Sequence, residues 1–227
     1  MAKLREYTTF LGEFRRTFQT TGAFAPSGRV LARALAEPLS SHSEPARILE
    51  VGPGTGAITR ELVQHIGEDD QFHLVELNDR FVDVLRRRFD REPAFSRVSE
   101  RATIYHLPVQ ELHVAEPYDF LICGLPFNNF STEQVKSLFR HMLRLLRPGG
   151  TMSFYEYLWI RRVTMLVANG RERRRVARVG RILKRYLSRY EYRCDTVFIN
   201  MPPAVAHHLR LKATAEPPVR HDAVVRR

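Results

Sequence analysis

The chain has 227 residues, 44% hydrophobic and 27% charged, which suits one domain with a sizeable core and excludes a long disordered or fibrous chain. No apolar run approaches the roughly 18 residues a spanning helix needs. The first residues are interrupted by Lys3, Arg5, Glu6, Glu13, Arg15 and Arg16, so they lack the apolar core of a secretory leader. Cys123 and Cys194 have no metal-pair spacing and fit a reduced, cytoplasmic setting, while a net charge of +11 asks for an anionic partner, nucleic acid or a membrane surface.

In chain order, Leu4, Tyr7, Leu11, Phe14 and Phe18 fall at steps of three and four and predict an amphipathic helix over 4–19, flanked by basic residues. Such a helix either docks on the core or lies in a membrane interface with its arginines towards anionic headgroups. A loop of small residues, Thr20 to Arg29 and including Thr21, follows, then a helix from about Ser27 to Ala36 that Pro38 and the Ser40–Ser43 run should end. The loop either covers a cofactor or merely connects.

Ala46–Val51 reads as a buried parallel strand, entering the turn Gly52-Pro53-Gly54-Thr55-Gly56. Ala57, Ile58, Leu62, Val63 and Ile66 carry helical spacing, so a helix is expected to point its N-terminus back at this turn. Bare backbone between a strand and a helix suits a nucleotide-type ligand. The run fits the dinucleotide fingerprint, with Ala57 in its sixth place, and equally the acid-x-G-x-G-x-G loop that binds S-adenosylmethionine (SAM), with Glu50 as the acid.

The next strand, Gln71–Leu77, ends on Glu76, followed by Leu77 and Asn78; an acid there accepts two hydrogen bonds from a ribose. A helix over Asp79–Phe89 and a strand over Arg101–His106 lead to Pro108, Val109 and Gln110, with Gln110 the polar candidate beside an adenine. Tyr118–Cys123 is a fourth buried strand, leaving through Gly124-Leu125-Pro126-Phe127-Asn128-Asn129-Phe130. A helix over Thr132–Leu146, stopped by Pro148-Gly149-Gly150, precedes a strand over Thr151–Tyr157. From Trp159 to Arg193 the chain is densely basic, with Glu172 and Glu191 its only acids and an apolar stripe through Val176, Val179, Leu183 and Leu187. Cys194–Asn200 and Val205–Leu211 predict a closing antiparallel hairpin.

Alternating strands and helices predict an α/β, Rossmann-like fold with a mostly parallel seven-stranded sheet, a terminal antiparallel hairpin and preceding N-terminal helices. The closing hairpin and the Arg147-Pro148-Gly149-Gly150 run favour SAM over a dinucleotide. The expected division is an N-terminal unit over 1–40, a cofactor-binding domain over 41–211 with a basic helical insertion at about 158–192, and a disordered tail over 212–227.

Gly124-Leu125-Pro126-Phe127 resembles the N-L-P-Y loop of the rRNA adenine dimethyltransferases, with glycine in place of the amide side chain. T-G-A-x-A-P-S-G-R (Thr21 to Arg29), V-G-P-G-T-G (Val51 to Gly56), G-L-P-F-x-N-F (Gly124 to Phe130) and L-R-P-G-G (Leu146 to Gly150) together resemble the bacterial phospholipid N-methyltransferase family. That resemblance implies a class I SAM-dependent methyltransferase fold. It also implies methylation of the amine of phosphatidylethanolamine or a related aminolipid such as ornithine lipid, by an enzyme peripherally associated with the inner membrane. On this reading Thr21, Glu50, Val51, Gly52, Gly54, Gly56, Glu76, Leu77, Asn78, Pro108, Val109 and Gln110 hold SAM. Gly124, Leu125, Pro126 and Phe127 position the amine, and Tyr155, Glu156 and Tyr157 at the end of the fifth strand accept its proton or stabilise its charge. A methyltransferase acting on RNA adenine is the alternative reading.

Overall fold

A computed structural model describes residues 26–158, 170–199 and 202–212. The expected helix over 4–19, Thr21 and its loop, the first part of the basic segment and the C-terminal tail lie outside the described residues.

Seven strands form one sheet in the order β3-β2-β1-β4-β5-β7-β6. They are β1 (Arg47–Val51), β2 (Gln71–Glu76), β3 (Ala102–His106), β4 (Tyr118–Cys123), β5 (Leu146–Tyr157), β6 (Glu191–Val197) and β7 (Ala204–Arg210). Strands β1 to β5 are parallel, and β7 lies antiparallel between β5 and β6. The carboxyl ends of β1, β2 and β4 therefore meet where the strand order reverses, between β1 and β4, which is where ligands bind in such sheets.

Helices cover both faces. On one, α1 (Pro26–Ser40), the single turn α2 (Thr59–Leu62), α3 (Asp79–Arg91) and the short α4 (Pro93–Ser96) bury Leu35, Leu39, Leu62, Leu85 and Phe95 against Ile48, Phe72 and Leu74. On the other, α5 (Thr132–Leu145) and α6 (Gly170–Tyr190) bury Leu138, Phe139, Met142, Val179 and Leu183 against Leu49, Leu121 and Met152. Strands buried on both faces need continuous apolar runs, as Ile48-Leu49 and Phe120-Leu121-Ile122 supply.

Several boundaries differ from expectation, among them β5, which begins at Leu146 rather than Thr151 and so takes in the Pro148-Gly149-Gly150 run. Helix α1 continues through Pro38 to Ser40, because Leu39 is buried in the core while the hydroxyls of Ser40 and Ser41 satisfy the carbonyls of Glu37 and Pro38. The long helix expected after the glycine turn is only the one turn of α2, flanked by hydrogen-bonded turns such as Arg60 N–H to Gly56 O and His65 N–H to Leu62 O. Those turns seat Ile58, Leu62, Val63 and Ile66 without a continuous helix, so no long helix points its N-terminus at the loop. Strand β6 begins at Glu191, three residues before Cys194, so part of the basic segment is strand.

Candidate active site

The glycine turn leaves β1 with Gly52, Gly54 and Gly56 at φ of +70°, +58° and +82°, a region that side chains avoid. At Gly56 a Cβ would lie 2.8 Å from Arg88 Nη1. The Arg88 guanidinium reaches across from α3 and donates to the carbonyls of Thr55 at 2.6 Å and Gly56 at 2.9 Å, clamping the turn. At Gly54 a Cβ would meet nothing within 4 Å, so this backbone faces open space. Its N–H donates to Glu76 Oε2 at 3.0 Å, and Glu76 Oε1 accepts from the Asn78 N–H at 2.8 Å. Asn78 itself caps α3, its side-chain oxygen accepting from the N–H groups of Arg80 and Phe81.

A cleft enclosing about 390 Å³, counted with its solvent-open mouth, lies over these strand ends. Its walls are Val51, Gly52, Val75, Glu76, Leu77, Leu107, Pro108, Val109, Gln110, Leu125, Phe130 and Leu138. Seven residues expected to hold the cofactor thus come together, joined by Leu125 from the expected acceptor loop.

That loop is stitched to the glycine turn. The Gly124 N–H donates to Val51 O at 2.8 Å, and a Cβ at 124 would lie 2.6 Å from Gly52 O, closer than real contacts allow. A Cβ on Gly52 would in turn meet Leu125 Cδ2 at 2.5 Å. The absence of an amide side chain at 124 is therefore a packing requirement of this chain. Past Gly124, a second cavity of about 330 Å³ with its mouth is lined by Pro126, Phe127, Asn128, Asn129, Tyr155, Glu156 and Tyr157. The loop from 124 to 130 thus lines both spaces.

The methyltransferase domain family matches residues 48–150, the stretch that carries the glycine turn, Glu76 and the Gly124 loop. The chain carries a SAM-dependent methyltransferase domain. It is similar to an ornithine lipid N-methyltransferase of Singulisphaera acidiphila, 29% identical over 159 residues that cover 69% of this chain and 81% of the relative. It is also similar to a ribosomal RNA small subunit methyltransferase A of Dehalococcoides mccartyi. There the identity is 33% over 99 residues, covering 44% of this chain but only 30% of that protein. Among solved structures, the N-methyltransferase NodS of Bradyrhizobium japonicum in complex with S-adenosyl-L-homocysteine superposes with a TM-score of 0.60 at 18% identity, over 83% of this chain and 89% of that one. The class I methyltransferase fold read from the strand order is borne out, and with it SAM as the cofactor.

The methyltransferase site fits SAM through its acids. Glu50 is fully buried beneath the turn; its Oε2 accepts from Thr59 Oγ1 at 2.7 Å, while Oε1 has no hydrogen-bond partner. Burial, reinforced by the nearby Glu76 and opposed by the Thr59 hydrogen bond, pushes the Glu50 carboxyl up to about 8. A buried carboxyl with an unused oxygen suits the ammonium of the cofactor's amino-acid part. Glu76 is also pushed up by burial, against its backbone donors at Asn78 and Gly54. Each carboxylate oxygen has a further lone pair for a ribose hydroxyl, and the apolar walls at Leu77, Pro108 and Val109 suit a flat adenine.

The surroundings of three expected site residues bear on what each can do. Phe127 is only 2% exposed, its ring packed 4.6 Å from Phe139 and 5.5 Å from Phe154, so it belongs to the core as well as to the wall of the second cavity. Tyr155 and Tyr157 share a hydrogen bond, and burial raises both phenols above their ordinary range. Neither ionises near neutrality, so neither takes a proton; they offer hydrogen bonds and ring faces. Sequence reasoning missed Arg88 and Asn128. Neither carried a signal, because Arg88 sits among other helical arginines and Asn128 fills the unspecified place within G-L-P-F-x-N-F.

Proposed function

We propose that this methyltransferase transfers methyl groups to the headgroup amine of a membrane aminolipid, phosphatidylethanolamine or ornithine lipid, at a cytoplasmic membrane surface. The observation that carries the reading is an exposed apolar tip beside the second cavity. Phe198 and Ile199 are each 75% exposed and follow Val197, the last residue of β6. Val197 pairs in register with Ala204, which pairs with Tyr157 at the end of β5, so the tip stands at the cavity's end of the sheet. Large apolar side chains held out at a site's rim suit an acyl-chain boundary far better than a ribosome.

Two further features support a lipid surface. Helix α6 buries Val176, Val179 and Leu183 and turns Arg171, Arg174, Arg178, Arg181, Lys184, Arg185 and Arg189 outward. Among the described residues Arg171, Arg174 and Arg178 form no ion pair, and each cation near an anionic surface contributes about 1 kcal/mol. The ornithine lipid relative adds an acceptor class: an alkylamine on a lipid headgroup. SAM, when bound, supplies an electrophilic methyl group. The chain's part is to hold the amine in line with it, which is the chief source of acceleration in such a displacement.

The RNA reading keeps support from the ribosomal RNA relative and the same cationic helix. Labelled SAM incubated with phosphatidylethanolamine or ornithine-lipid vesicles, and separately with ribosomal RNA, separates the two. We expect label in the lipid, and a tenfold or larger loss in F198E/I199E with SAM affinity unchanged. Label in RNA alone, or full lipid activity in the double variant, refutes the reading or its membrane contact respectively.

A further inference from the structure

Inside the second cavity the chain gathers groups that the proposed reaction needs but that no motif marks. Asn128 Oδ1 is buried and has no hydrogen-bond partner, an arrangement that costs free energy unless a donor arrives. Glu156, at the end of β5, lines the same cavity with its side chain only 12% exposed. Its Oε2 lies 3.6 Å from His207 Nε2 on β7, and His207 Nδ1 lies 2.6 Å from Glu191 Oε1 on β6. The imidazole is held by stacking on Phe154 at 5.1 Å, within the aromatic row of Phe127, Phe139 and Tyr186. Glu191 is 27% exposed, so the chain of groups ends in solvent.

We propose that this cavity binds an alkylammonium, with Asn128 Oδ1 and Glu156 as its acceptors, and that Glu156 takes the amine's proton and hands it through His207 and Glu191 to water. The inference rests on the amine-methylating reading above. An alkylamine is protonated near neutrality and has no lone pair to attack with. In the step, one N–H bond of the ammonium breaks and an O–H bond forms on Glu156. The electron pair stays on nitrogen, and the carboxyl is then neutral. His207 Nε2 takes that proton as Nδ1 yields one towards Glu191, leaving the imidazole neutral again and Glu156 ready for the next turnover. An imidazole carries two ring nitrogens, one able to take a proton as the other releases one, so it passes protons without leaving its place.

The groups around the imidazole support this assignment. From β5 it faces Glu156, and from β6 Glu191, with Cys194 opposite it in register. From α6 the nearby titratable groups on the shared core are the phenols of Tyr186 and Tyr190. Acids flank the ring on both sides, which suits proton passage from one to the other. Tyr155 and Tyr157, held protonated, cannot compete for the amine's proton. Their rings and hydroxyls remain to surround the cation.

The test has two readouts. Calorimetric titration of dodecylphosphoethanolamine into SAM-loaded protein should show a tenfold or larger loss of affinity in N128A and E156Q, with SAM affinity unchanged in both. Transfer to phosphatidylethanolamine vesicles across pH 6–9 should fall about a hundredfold in E156Q, with the rise of rate with pH abolished. E156D should recover part of that rate, and H207Q should alter the pH profile while leaving alkylamine affinity within threefold. His207 is thereby tested as a positioning and relay residue. Wild-type alkylamine affinity in both N128A and E156Q overturns the site, and an unchanged pH profile in E156Q overturns the relay. If wild type methylates no aminolipid while N128A and E156Q still weaken alkylamine binding, the lipid reading fails and the amine site stands.

Discussion

At the scale of single residues, Glu50 has the most to reveal, because its protonation is tied to the cofactor. With its carboxyl pushed up to about 8, Glu50 is largely neutral in the free protein at pH 7. An ammonium set against Oε1 favours the ionised form, so binding must expel a proton. SAM affinity should therefore rise with pH up to about 8, by at most tenfold per unit, and flatten above it. Calorimetry in two buffers of different ionisation enthalpy would show nearly one proton released at pH 7. In E50Q both the release and the pH dependence should vanish.

The same scale shows where the sequence is silent. Glu50, Glu76 and the three glycines are legible because strand, turn and acid follow one another within a short stretch. Asn128, Glu156 and His207 meet only because Phe154 pairs with His207, and Glu156 with Val205, across two antiparallel strands more than 45 residues apart. Nothing local in the chain sets that register. The spacing of Ile58, Leu62, Val63 and Ile66 misled in the opposite sense, since consecutive tight turns bury the same residues as a helix would.

Among elements, α5 and α6 decide how firmly the acceptor loop is held. Ser131 caps α5 with a reciprocal pair, accepting from the Gln134 N–H while the Gln134 side chain accepts from the Ser131 N–H. Arg175 of α6, braced by Glu172, donates to Phe130 O at 2.7 Å, and Phe139 stacks on Tyr186 at 4.7 Å. The loop is thus fixed at one end by the cap and at the side by an arginine. Ser131→Ala should cost about 1 kcal/mol, and Arg175→Ala about 1.5–3 kcal/mol, as for a lost hydrogen bond to a charged donor. Denaturant melts measure both. In Arg175→Ala, hydrogen exchange should quicken at 127–131 more than at 52–56.

For the molecule as a whole, buried titratable groups set opposite limits on stability. Burial lowers His73, His141 and His208 from 6.5, so each is held neutral when folded. A depressed base contributes stability present above its unfolded pKa and lost as pH falls through the folded one. The melting temperature should therefore decline below about pH 6.5, and in H208N less steeply than in wild type. Glu50 and Glu76 have the reverse sign: their contribution is full below 4.5 and is lost as pH rises, for Glu50 through about 8. Scanning calorimetry from pH 5 to 9 should give a maximum near neutrality, with SAM raising the alkaline side most.

The mutual pressure of Gly52 and Gly124 bears on what this chain can become. The cofactor turn and the acceptor loop meet at a point where neither tolerates a single carbon atom more. Their contents are therefore not interchangeable modules. Grafting a loop that opens on asparagine or aspartate would first require the turn after β1 to move, and that turn is pinned from behind by Arg88. A change of acceptor is thus more readily reached through Asn128, Glu156 and the hairpin tip, which lie outside that contact, than through the motif that first draws the eye.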